Sequence, residues 1–135
     1  MINGKKTRVF ISYAAAESSV ANALSKTLNE HGIQAWSPDR LEINQRAARM
    51  LERALQSASW YIVLISEDAL VSPYVNFEIG AVLGSQKKML PVFLTKRAKR
   101  KALALLKRRR GILAEGLSPK DIADKVAQAI EKEAA

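Results

Sequence analysis

The chain has 135 residues, 48% of them hydrophobic, and a formal net charge of +9, enough for one domain with a real core. It has no cysteine and a single histidine, His31, which excludes disulfides, thiolate chemistry and multi-histidine metal sites and disfavours a Ser-His-Asp triad. No apolar run approaches a bilayer span and residues 1–6 carry no signal-peptide core, so the expectation is a cytoplasmic protein without a membrane span.

Short apolar runs alternate with helical patterns from residue 7 onward, so a flexible segment over 1–6 and a single domain over 7–135 are expected. Arg8-Val-Phe-Ile-Ser-Tyr13 reads as a strand. A helix follows, with Val20, Ala23, Leu24, Thr27 and Leu28 at helical spacing and a stop at Gly32. His31, just before that glycine, suits a cation at the helix C-terminus. Ile33-Gln-Ala-Trp36 is a short second strand, and Ser37 to Gln45 a polar loop. Ala47, Met50, Leu51, Ala54, Leu55 and Ala58 mark the stripe of a second helix, and Tyr61-Ile-Val-Leu-Ile-Ser66 reads as a strand buried on both faces.

Ser72-Pro73 then opens a helix, with serine as N-cap and proline at the first helical position. Met89-Leu-Pro-Val-Phe-Leu94 is a fourth strand, which Pro91 demotes toward an edge or a bulge. A basic helix, a weak fifth strand at Gly111-Ile-Leu-Ala114 and a terminal helix capped at Ser118-Pro-Lys-Asp121 complete the chain. This alternation predicts an α/β fold: a flavodoxin-like three-layer α/β/α arrangement on a five-stranded parallel sheet, order 2-1-3-4-5. Ligands then bind beyond the C-terminal ends of strands one and three, at the loops Ser12–Glu17 and Ser66–Pro73.

One carboxylate stands out there. From Ala69 to Gln86 the only charged residue is Glu78, and its helical neighbours Tyr74, Val75, Ala81 and Val82 carry no charge. A carboxylate in such a stripe loses hydration without a lysine or arginine of its own helix to compensate, which marks Glu78 as a residue kept for chemistry. The loop after the first strand, Ala14-Ala-Ala-Glu17, has no glycine-rich phosphate motif, and no aspartate ends strand one or three as an aspartyl-phosphate site needs. Backbone N–H groups at the following helix start remain able to bind a phosphate. Ser12 and Tyr13 read equally as a turn cap with a packed ring or as ligand contacts.

Phe10-Ile-Ser-Tyr13, Ile33-Gln-Ala-Trp36, Ile62-Val-Leu-Ile-Ser66 and Ser72-Pro-Tyr-Val-Asn-Phe-Glu-Ile-Gly80 resemble the successive signatures of Toll/interleukin-receptor (TIR) domains, most closely the bacterial branch. The resemblance runs from about Thr7 to Leu94 and implies the fold just derived. It also implies either cleavage of NAD⁺ at the nicotinamide–ribose bond, giving ADP-ribose or a cyclic form in a self-assembling defence or signalling effector, or a purely assembling adaptor. Glu78 matches the family's catalytic glutamate. Ser12, Tyr13, Ala14, Trp36, Asp39, Arg40 and Tyr74 fall around the substrate, with NAD⁺ as substrate and no cofactor or metal.

The chemistry suits a lone carboxylate. Nicotinamide in NAD⁺ is already cationic and leaves without a proton, so one anion facing the developing oxocarbenium is enough, where an ordinary glycoside needs two carboxyl groups. Against the family pattern, Ala14-Ala15-Ala16 replaces polar residues and the loop after Trp36 lacks its usual glycine. Phosphate contacts then fall to the backbone, Arg40 or Arg46. Asp39 and Arg40 read otherwise as solvated loop charges, and Trp36 reads as core rather than as a nicotinamide stack. A nucleoside deoxyribosyltransferase, with a similar sheet and a glutamate-centred glycosidic chemistry, is the third reading.

The whole charge excess lies between Lys96 and Arg110, which holds nine cations and no anion. It reads as a solvated helix anchored by Leu103 and Leu106, or as the seat of an anionic partner, without aromatics for base stacking.

Overall fold

Five parallel strands form the sheet: β1 (Arg8–Ser12), β2 (Gln34–Trp36), β3 (Trp60–Ile65), β4 (Lys88–Phe93) and β5 (Ile112–Leu113), in the order β2-β1-β3-β4-β5. This is the expected flavodoxin-like topology. The structure, a computed structural model, describes residues 7–38, 45–85, 87–107 and 109–134. The segment 1–6 and the loop positions Asp39 and Arg40 lie outside the described residues, as does the Arg46 side chain.

Helices α1 (Ser18–Glu30) and α7 (Pro119–Ala134) cover one face of the sheet. Helices α2 (Gln45–Ser57), α3 (Glu67–Leu70), α4 (Pro73–Leu83), α5 (Lys96–Lys101) and α6 (Ala104–Lys107) lie on the other. The β3 strand is buried along its length, because both faces of a central parallel strand are covered by crossover helices. The buried stripe of α1 is Ala21, Leu24 and Leu28; Ala21 takes a core position, while the expected Val20, Ala23 and Thr27 are only partly buried. Gly32 closes this helix at φ +79, a conformation that costs a residue without Cβ nothing. The next residue enters the core at Ile33.

Three expectations are corrected. Pro91 is on no edge: β4 is the fourth of five strands and Pro91 pairs with Val63. The Leu94 N–H donates to Ile65 on the β3 side, whereas the Phe93 carbonyl accepts from Ala114 on the β5 side. By alternation the donor-less nitrogen of Pro91 faces the β5 side, ahead of the point where β5 begins pairing at Val92↔Ile112, so no ladder bond is lost.

The basic stretch forms two short helices rather than one. Like charges at i,i+4, Lys96–Arg100 and Arg97–Lys101, oppose a long helix, and Ala102 leaves it with ψ 154. Of the two expected leucine anchors, Leu106 is buried and Leu103 is 62% exposed. The loop expected from Ser66 to Pro73 is largely α3, capped by the Ser66 hydroxyl, which accepts from the Ala69 N–H at 3.0 Å.

Candidate functional site

The chain leaving β1 turns onto the α1 face and the chain leaving β3 turns onto the α4 face. The two strands are hydrogen-bonded neighbours, Ser12 opposite Val63, so their ends diverge and open a crevice between them.

Helix α4 is aimed by its cap. The Ser72 hydroxyl accepts from the Val75 N–H at 3.3 Å and Pro73 takes the first turn. Val75, Ile79 and Val82 then pack inward, and Glu78 shares their face at 2% exposure. Its Oε1 accepts a 2.6 Å hydrogen bond from the Ser12 hydroxyl, itself 2% exposed, at the last residue of β1. That length is typical of a charge-assisted O–H···O⁻ bond. Glu78 thus lies at the switch point, bound to the first residue of the Ser12–Glu17 loop.

The neighbouring expected contacts are distributed unevenly. Tyr13 is buried, and its hydroxyl donates to the Pro38 carbonyl, tying the end of β1 to the segment after β2. Ala14 is buried and accepts from the Glu17 N–H at 2.9 Å in a 3-10 turn spanning Ala15–Glu17. Trp36 is half-buried with its ring centroid 5.5 Å from that of Phe10, and it lines a groove of about 370 Å³ with Met50 and Arg53. It belongs to the apolar layer, as its strand position suggested. Tyr74 is 52% exposed, so although it is one turn from Glu78 on α4, the carboxylate points inward while the ring reaches the surface.

A second carboxylate went unnoticed in the sequence. Glu17 is 8% exposed in the turn after β1, and its Oε2 has no hydrogen-bond partner among the described residues. Burial pushes its carboxyl above the ordinary range; the neighbouring Ser66 hydroxyl opposes this and the nearby Asp68 charge adds to it. Glu78, after β3, is held by the serine that ends β1, whereas Glu17, after β1, is buried near the serine that follows β3. The signal that singled out Glu78 applied here too, since Glu17 is the only charged residue between Arg8 and Lys26. Among the described residues no group of acidic or histidine side chains could hold a metal ion.

A family model described as TIR domain matches residues 9–130, nearly the whole chain. The chain is a TIR domain. Its fold is that of solved TIR structures. The TIR domain of the Toll-related receptor TRR-2 from Hydra magnipapillata superposes with a TM-score of 0.69 at 18% identity, over 93% of this chain and 96% of that one. The RPS4 and RRS1 TIR heterodimer gives 0.70 at 10% identity, over 95% and 97%. The TIR domains of the activated Roq1 resistosome give 0.57 at 17% identity, over 92% and 72%. Identities this low speak to the fold alone. No curated protein sequence matches the chain.

Proposed function

We propose that this TIR domain cleaves NAD⁺ at the nicotinamide–ribose bond, with Glu78 as the catalytic carboxylate. The observation that carries the reading is a carboxylate 2% exposed at the strand switch point, oriented by the Ser12 hydroxyl at 2.6 Å. The C–N bond to nicotinamide breaks with its electron pair going to the already cationic ring, so no acid is needed. The Glu78 anion stabilises the oxocarbenium left on the ribose, and low dielectric around it strengthens that effect. Water attacks C1′ and releases a proton, giving ADP-ribose; attack by a nitrogen of the adenine ring gives a cyclic form instead. Ala15 and Ala16, exposed at the turn before α1, offer backbone N–H groups for the pyrophosphate. Arg40 is the side chain proposed to assist them.

At 2% exposure Glu78 meets a ribose only after the groups over it are displaced, which makes access the regulated step. Self-assembly supplies that displacement in this reading, as a neighbouring domain docks beside the site. Solved relatives are described as a heterodimer and as part of a resistosome, which supports assembly as the trigger.

The same burial favours a second reading, an assembling adaptor in which the Ser12–Glu78 bond only joins α4 to the sheet. One experiment separates them. Concentrated protein incubated with NAD⁺ is expected to release nicotinamide, and Glu78→Gln to lower the rate on the order of a hundredfold or more while retaining the fold. Equal rates from the folded Glu78→Gln variant would remove Glu78 from the chemistry. No nicotinamide from a demonstrably assembled protein would establish the adaptor. Base exchange on deoxynucleosides is the product pattern a deoxyribosyltransferase requires.

A further inference from the structure

The layer formed by α3, α4, α5 and α6 packs on one face of the sheet through Ala69, Val75, Ile79, Val82, Ala98 and Leu106. Its outward sides therefore belong to one surface of the molecule. That surface carries four of the largest exposed apolar side chains among the described residues: Val71 at 78%, Phe77 at 64%, Leu103 at 62% and Tyr74 at 52%. Single exposed apolar residues need no explanation, but several on one surface do.

The same surface carries the charge. With Ala98 buried, α5 turns Lys96, Arg97, Lys99, Arg100 and Lys101 outward. Glu67 at the start of α3 accepts from Lys101 Nζ at 2.7 Å and lies 3.5 Å from Arg97 Nε, which ties the basic helix directly to the element that ends at Val71. Aromatic and aliphatic side chains set among lysine and arginine are what the interface of an anionic bilayer accommodates: acyl chains and ester groups for the former, phosphate and carboxylate headgroups for the latter.

We infer that the α3–α5 surface docks this domain peripherally on anionic phospholipid membranes, with Phe77, Val71 and Leu103 inserted at headgroup level and the α5 cations on the lipid charges. Nucleic acid fits less well, because a phosphate backbone leaves the apolar side chains in water, and no aromatic lies within the 96–110 stretch to stack on bases. A second copy fits less well too. A two-fold contact centred on α5 sets it against another α5, with like charges facing each other. The inference does not depend on the enzymatic reading.

The test is flotation of the purified chain with phosphatidylcholine vesicles, with and without 30% phosphatidylserine (about three lipids in ten, enough for an appreciable surface potential). Binding is expected only with phosphatidylserine and is expected to fall about tenfold or more between roughly 0.1 and 0.5 M salt. Val71→Ser with Phe77→Ser, both exposed and therefore compatible with the fold, is expected to weaken binding about tenfold or more. Lys99→Glu with Arg100→Glu is expected to abolish it, circular dichroism confirming both folds. Absence of the protein from the phosphatidylserine fraction would overturn the inference, as would undiminished binding by the Val71→Ser/Phe77→Ser variant. So would retardation of a DNA or RNA oligonucleotide, or formation of oligomers through this surface, without vesicle binding.

Discussion

Replacing Ser12 by alanine tests the contact on which the site depends. The Ser12 hydroxyl and the Glu78 carboxylate are each 2% exposed and 2.6 Å apart, so water cannot replace the lost donor. A hydrogen bond to a charged acceptor contributes about 1.5–3 kcal/mol. For Ser12→Ala a loss of about 2 kcal/mol is expected. With an unfolding entropy of about 2.1 cal/mol/K per residue, a chain of 135 residues then melts about 7 °C lower. The urea midpoint is expected to fall by roughly 1 M.

The double mutant isolates the charge. Glutamine at 78 still accepts from Ser12 but as a neutral group, so Ser12→Ala in the Glu78→Gln background is expected to cost about 1 kcal/mol, leaving a coupling of about 1 kcal/mol. Urea unfolding followed by circular dichroism measures all four corners of the cycle. If Ser12→Ala unfolds at the parental midpoint, or the four corners are additive, Glu78 is not held by a charge-assisted bond from Ser12 and the orientation argument fails.

The remaining expectations follow from other residues. Burial raises the Glu17 carboxyl pKa. The folded state therefore binds the proton more tightly than the unfolded one, and stability falls as pH rises from the unfolded value of about 4.3 through the raised folded value. Glu17→Gln is expected to melt higher than the parent at pH 7.5 and level with it at or below about pH 4; equal melting at both pH values would show that Glu17 is comfortable as an anion. Gly111→Ala is expected to cost about 1–3 kcal/mol in urea unfolding, since its Cβ would stand 2.8 Å from the Pro91 carbonyl oxygen and 3.0 Å from the Phe93 ring. A neutral result would mean that β5 is free to move off β4. NAD⁺ cleavage per molecule is expected to rise with protein concentration; a rate constant over a wide dilution series of a species monomeric by light scattering would show that each domain is a complete enzyme.

The alternation of strands and helices was legible because its physics is local. Tyr61–Ser66 is apolar without a period, Ser72-Pro73 supplies a helix N-cap and first turn, and right-handed crossovers then leave few ways to order five parallel strands. Glu78 was legible for the same reason, as a charge isolated among eighteen residues. What it touches was not, because Ser12 is 66 residues away and no spacing rule connects the end of one strand to the second turn of a distant helix. Glu17 bore the same mark of isolation, yet only the packing of its turn against the end of β3 shows it buried beside Ser66. Pro91 warned of an edge because proline lacks a donor; whether that matters depends on which neighbour its nitrogen faces, and β5 begins one residue too late to need it. Leu103 and Leu106 are identical in composition and three residues apart. The break after Ala102 buries one and exposes the other, a choice made by the repulsion and packing of the folded basic segment, which a helical period read from the chain alone does not contain.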